Sequence, residues 1–242
     1  MIQHLLHINH VSKHFGGNVA VSDISFSVDE KQIFGLIGPN GAGKTTLFNC
    51  ISGFYPVTSG DIIFDNKTIN NLRPDEVCHM GMARTWQRVK PLGSLTVLEN
   101  VMIGAFSITS ATREAEEIAI EQLGTVGLTD YAQKTAGSLS IGLKKKLELA
   151  RVLATHPKML LLDEICGGLN HTETETILGI IREVRNKGAT IVFIEHDMKA
   201  VTAICDRIVV LNSGEKLAEG TPEEITGNPE VIAAYLGGGH NA

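Results

Sequence analysis

The run Gly38-Pro39-Asn40-Gly41-Ala42-Gly43-Lys44-Thr45 constrains this chain more than any other stretch. It follows the apolar segment Gln32 to Ile37, which reads as a buried strand, and it opens a helix near Lys44. Glycines let the backbone bend until several N–H groups point at one anion, and the helix start adds its positive dipole end. The spacing G-x-x-x-x-G-K-S/T therefore describes a phosphate cradle. Lys44 can reach β- and γ-phosphates, and the Thr45 hydroxyl can ligate Mg²⁺. A chance glycine-rich turn needs neither the strand before it nor the helix after it, so this context predicts that residues 38–46, Thr46 included, bind a nucleotide.

A second strand, Lys158 to Leu162, runs into Asp163-Glu164. An apolar strand would deliver Asp163 to the same sheet edge, where a carboxylate can hold Mg²⁺. Glu164 points differently and can polarise an attacking water as general base. Thr190 to Ile194 forms a third buried strand, ending at Glu195-His196-Asp197, and Arg207 to Leu211 a fourth, returning through Asn212-Ser213-Gly214 to a short strand at Lys216–Ala218. Apolar strands alternating with helical stretches predict a parallel sheet wrapped by helices, with ligands at the carboxyl ends of the strands. The first thirty residues alternate as antiparallel strands, and residues 90–155 read as largely helical. One compact chain is expected, a core of 1–89 and 156–242 interrupted by a helical subdomain at 90–155.

Composition narrows the function classes. The chain has 242 residues, and 21 Lys plus Arg against 27 Asp plus Glu give a net charge of −6. Neutralising phosphate along a nucleic acid needs clustered cations, so a nucleic-acid partner is not expected. Lys144-Lys145-Lys146 is too short for a binding stripe and reads as a solvated helix face. No apolar run approaches the roughly 20 residues of a bilayer span. The first residues lack the basic region and apolar core of a secretion signal, and the four cysteines show no Cys-x-x-Cys spacing. A cytoplasmic setting with reduced thiols follows. His4, His7, His10 and His14 invite a metal reading, but strand alternation sends His7 to the face opposite the others.

Taken together, the phosphate loop, Leu160-Leu161-Leu162-Asp163-Glu164 and Leu139-Ser140-Ile141-Gly142-Leu143 resemble the ATP-binding subunits of ABC transporters from end to end. The segments Ile37–Gly53, Ala83–Gly104 and Glu195–Gly237, with the tail Ala234-Tyr235-Leu236-Gly237, are most similar to importer ATPases for branched-chain amino acids and related amides. The resemblance implies an α/β P-loop NTPase fold with a RecA-like core, an N-terminal antiparallel β subdomain and an inserted helical subdomain. It places Phe15 against adenine, where a π-face stacks without reading hydrogen bonds. It makes Gln87 the sensor of γ-phosphate and Mg²⁺ and a third metal-site residue beside Thr45 and Asp163. His196 would touch the γ-phosphate and fix the attacking water.

The family's signature is LSGGQ, and this chain departs from it at Ile141 and Leu143. Ser140 can still cap the following helix and offer an anion site, and Gly142 leaves room for a phosphate. In the family the signature contacts ATP held by a second subunit, so a homodimer or a heterodimer with a sister ATPase is implied. Gly167-Gly168-Leu169-Asn170 would cross that interface, and the family often has Asp at Asn170 and Pro at Ile165. Integral-membrane permease subunits would dock near Gln87 and Arg88-Val89-Lys90, with a solute-binding protein acting through them at the inner face of the cell membrane. A soluble relative acting on DNA or ribosomes usually carries a long coiled coil or two ATPase units. A metabolite kinase would have no signature.

Overall fold

The computed structural model describes residues 4–86 and 90–237. In chain order the first elements are β1 (His4–Phe15), β2 (Asn18–Asp29), β3 (Ile33–Ile37), α1 (Lys44–Ile51), β4 (Ser59–Phe64), β5 (Lys67–Thr68), α2 (Pro74–His79) and β6 (Met82–Arg84). Three helices follow, α3 (Val97–Ala105), α4 (Thr112–Val126) and α5 (Ile141–Leu153). The chain then alternates β7 (Met159–Asp163), α6 (His171–Asn186), β8 (Thr190–Ile194), α7 (Met198–Ile204) and β9 (Arg207–Asn212). It closes with β10 (Glu215–Gly220), α8 (Pro222–Thr226) and α9 (Pro229–Gly237).

Two sheets result, one in the order β2-β1-β4-β5 and one in the order β10-β9-β3-β8-β7-β6. The first is antiparallel. In the second, β6 to β9 and β3 pair in parallel and only β10 turns back. Strands β3, β7 and β8 are buried at every residue. Their alternate side chains supply two separate cores, which is why they read as unbroken apolar runs. Ile33, Leu160, Leu162, Ile191 and Phe193 pack under the helices. Phe34, Leu36, Leu161, Val192 and Ile194 pack against the antiparallel sheet and α1.

The helical stretch expected at 90–155 is α3 to α5, which pack on one another. Thr96 caps α3 in a reciprocal box with Glu99, and Ser140 caps α5 by accepting from the Leu143 N–H. Gly104 lies where α3 meets α5, and a Cβ there would stand 2.1 Å from the Arg151 carbonyl oxygen.

Two expectations fail here. Register shifts after His4 and again beyond Ile8 break the alternation of β1, so His4 and His7 lie with rings stacked, centroids 6.5 Å apart. Each histidine takes its own partner across the hairpin: His4 meets Asp29, His7 meets Ser27 and His10 meets Asp23. The second failure is Lys145, which is 4% exposed. It sits on the inward face of α5 and not on a solvated one.

Gly104→Ala sets a helix-propensity gain of about 1 kcal/mol against a collision with fixed backbone. The collision should win by about 1–3 kcal/mol, seen as a lower denaturation midpoint with an unchanged m-value.

Candidate functional site

The loop between β3 and α1 is shaped by two glycines. A Cβ on Gly38 would lie 2.1 Å from the Leu211 carbonyl oxygen, so only glycine lets the loop pass β9. Gly43, at φ 96°, caps α1 in the left-handed region, and a Cβ on it would lie 2.6 Å from the Ala20 carbonyl oxygen. Lys44 follows, buried, with its ammonium donating to the carbonyls of Gly38 at 2.7 Å and Pro39 at 2.9 Å. Burial pulls this ammonium below its ordinary pKa, and the Glu164 and Asp163 carboxylates hold it up.

A cleft of about 510 Å³ opens over the loop. Asn40 to Thr46 line it with Glu164 and His196 facing them from the ends of β7 and β8. His196 Nε2 is hydrogen-bonded to Glu164 Oε1. Glu164 itself has a backbone φ of 49°, a left-handed conformation that a side chain rarely adopts. A second cleft, of about 530 Å³, lies on the other side of Thr45 and is lined by Asn49, Arg84, Trp86, Lys90, Arg151 and Asp163. Thr45 thus borders both spaces, and it shares the second with Asp163.

Asp163 is 3% exposed, and its Oδ2 accepts from Arg84 at 2.8 Å. Arg84 also donates to Asn49 Oδ1 and the Ser52 hydroxyl, and its guanidinium lies over the rings of Phe48 and Trp86. Burial raises the Asp163 pKa, and the Arg84 hydrogen bond works against that rise. Sequence reasoning missed Arg84. Its signal was slight: one residue at the end of a three-residue strand, β6, that no apolar run announced.

The remaining predicted residues fall in three places. Phe15 is 43% exposed, edge-on to Tyr55 and beneath the Lys13 ammonium at the end of the hairpin. Its register partner Asn18 lines the first cleft, and the exposed ring is not core. Ser140 and Gly142 lie apart, at the start of α5. A Cβ on Gly142 would meet the end of the Glu173 side chain of α6 at 2.6 Å, so any larger residue there would have to displace that carboxylate. Gln87, like Arg88 and Val89, lies outside the described residues. The residue before it, Trp86, has its N–H bonded to Glu148 of α5 at 2.6 Å.

The comparisons match this geometry. The family model described as ABC transporter covers residues 21–167. The chain belongs to the ABC transporter family. A second model, the branched-chain amino acid ATP-binding cassette transporter, covers residues 215–241. Among ABC relatives, the high-affinity branched-chain amino acid transport ATP-binding protein LivG of Salmonella typhimurium is 44% identical over 98% of this chain and 99% of its own. BraF of Pseudomonas aeruginosa, of the same description, is 41% identical over the same shares. A solved nucleotide-free ATP-binding cassette superposes with a TM-score of 0.89 at 32% identity, covering 96% of this chain and 99% of that one. A dimeric post-hydrolysis cassette bound to ADP and Pi gives 0.80 at 26% identity, over 90% and 98%. The P-loop α/β fold and the ATPase activity of the family are thereby those of this chain.

The donor chemistry of the two clefts fits an ABC nucleotide site. The glycine-shaped loop presents backbone N–H groups and a buried ammonium, the partners of a polyphosphate. The Thr45 hydroxyl and the Asp163 carboxylate are hard oxygen donors suited to Mg²⁺. Among the described residues no group of three or more His, Cys, Asp or Glu gathers into another metal site.

Removing one member of a buried ion pair costs about 3–5 kcal/mol, and Arg84→Met should destabilise the chain by that amount at neutral pH. The variant raises the folded pKa of Asp163 further above its unfolded value. The folded state then binds the extra proton first, so stability falls as pH rises through that window. Denaturant melts should show the gap to wild type narrowing as the pH is lowered.

Proposed function

We propose that this chain powers an importer of branched-chain amino acids or related amides, working as a dimer with itself or a sister ATPase on membrane-spanning permease subunits. The observation that carries it is the Glu164–His196 hydrogen bond on the wall of the cleft lined by Lys44 and its loop. Residues Gly38 to Thr46 hold the phosphates, and Phe15, paired in register with the cleft residue Asn18, offers its face to the base. Glu164 takes the proton from the attacking water, and His196, whose Nε2 is bonded to that carboxylate in this structure, turns its Nε2–H to the terminal phosphate when nucleotide binds. Thr45, Asp163 and Gln87 would hold Mg²⁺, which would supply positive charge to offset that of the phosphates. Ser140 and Gly142 of one subunit close over the nucleotide of the other.

No helix among the described residues is long and apolar enough to cross a membrane, and in this reading the work passes to separate permease subunits. The helices between 90 and 155 form the subdomain that transmits it. The docking surface is the groove beside Trp86, where exposed Phe54 and Ile103 flank Arg151. It adjoins the residues that precede and follow Gln87, at the cytoplasmic side of the membrane. Cargo is chosen by the permease and a solute-binding protein. The support for branched-chain cargo is the likeness to LivG and BraF along the whole chain and the match at 215–241.

Glu164→Gln should retain Mg-ATP binding and lose turnover by roughly 10²- to 10⁴-fold, the span of general base catalysis. With Mg-ATP it should also elute as a dimer. Reconstituted with its permease pair and binding protein, the wild type should drive leucine uptake into proteoliposomes and the variant should not. Unchanged steady-state hydrolysis by the variant would remove Glu164 from the role of base.

A further inference from the structure

Helix α5 runs from the signature into the interior, and it carries two buried ionisable residues one turn apart. Glu148 is bonded to the Trp86 N–H, as described above. Lys145, 4% exposed, donates from Nζ to the backbone carbonyl of Glu164 at 2.9 Å. The opposite charge that acts most strongly on this ammonium is Glu195, itself 4% exposed and next to His196. Glu195 in turn accepts the N–H of Cys166 at 2.6 Å. Burial lowers the Lys145 pKa and raises that of Glu195, and their mutual attraction opposes both shifts.

The turn they grip carries Glu164. Its N–H donates to the Ile194 carbonyl at 3.0 Å, and its carbonyl also accepts from Gly167 at 3.2 Å. Its φ of 49° lies in the left-handed region, which costs a residue with a side chain roughly 1–2 kcal/mol. A conformation of that kind persists only where its surroundings over-determine it. The turn is therefore clamped on three sides, by the end of β8, by α5 and, two residues on at Cys166, by Glu195. Stability alone does not require a buried ammonium here, since well-packed apolar residues replace buried ion pairs at little or no loss. Leu147 and Leu149 fill the same helix with apolar side chains.

We propose that Lys145 is a positioning residue for hydrolysis: through the Glu164 carbonyl it fixes the strained turn that aims the Glu164 carboxylate into the cleft. The role rests on Glu164 acting as base. It ties the aim of that carboxylate to the helix whose first turn bears Ser140 and Gly142 of the same chain.

The test uses the purified full chain with Mg-ATP. A misplacement of about 1 Å at a reacting group can cost 10²-fold, so Lys145→Met should lower kcat by roughly 10- to 100-fold. Because the clamp does not touch the phosphate loop, KM and the Kd for a fluorescent ATP analogue should stay within about threefold. Independently of turnover, amide hydrogen exchange over residues 163–168 should quicken in nucleotide-free protein. Lys145→Arg, which keeps a donor in reach, should restore both the exchange protection and kcat to within about threefold of wild type. If the methionine variant does not fold, Lys145→Gln, whose donor is one atom shorter, takes its place with the same expectations.

Wild-type turnover by either shortened variant, unchanged exchange, or nucleotide binding lost in step with kcat overturns the proposal, as does an arginine variant no better than methionine. Glu164→Gln assayed alongside separates the two levels. If it is inactive while Lys145→Met is fully active, only the positioning role fails; if it is active, the assignment of the base fails first.

Discussion

A parallel strand buried on both faces can place a polar side chain only at its end. That constraint organises the molecule. β3, β7 and β8 have no solvent face, so the groups that follow them are set out along one sheet edge. The phosphate loop follows β3, Asp163 and Glu164 end β7, and Glu195 and His196 follow β8. The strand order brings β8 between β3 and β7, which sets His196 beside Glu164 on the cleft wall that faces the loop. The helices and the antiparallel sheet are the two covers that keep those strands dry, and the site exists because both are present.

This logic also explains what could be read in advance. The strands with continuous apolar runs and the loop with its glycine spacing carry their structure locally, so they were legible residue by residue. The tertiary contacts were not. Lys145 lies in a run of three lysines whose composition describes a solvated face. What buries it is the arrival of Glu164 and Glu195 from strands far along the chain, and no local pattern encodes that arrival. Arg84 is the same case, since its partners Asn49, Ser52 and Asp163 come from α1 with the residue after it and from β7. His4 and His7 failed for another reason: a bulge changes the period within a strand, and a sequence with His at every third or fourth place does not announce one.

The departures from the family pattern become intelligible as packing and capping. Asn170 caps α6, accepting the Glu173 N–H at 3.0 Å while Glu173 returns the bond. Asparagine serves this position as well as aspartate does. Ile165 is 3% exposed and joins the core under the helices, so its side chain contributes apolar contact where an imino ring would add stiffness. Leu143 packs partly against that same core, and Ile141 projects outward from the first turn of α5. Ser140 keeps its cap throughout.

Three cations are buried around the carboxyl edge, and their partners differ in kind. Arg84 is bonded to a buried carboxylate, and Lys145 to a carbonyl with the Glu195 carboxylate at hand. Lys44 is hydrogen-bonded to two neutral carbonyls of its own loop. Moving Arg84 to an incoming anion would leave Asp163 buried without its partner, at about 3–5 kcal/mol. Moving Lys44 breaks neutral hydrogen bonds worth about 1 kcal/mol each, and a charge-assisted bond to an anion returns more than that. The energetics therefore sort the cations by task. Lys44 can leave its partners for an anion at low cost, while Arg84 and Lys145 stay bound to the Asp163 carboxylate and to the turn of Glu164.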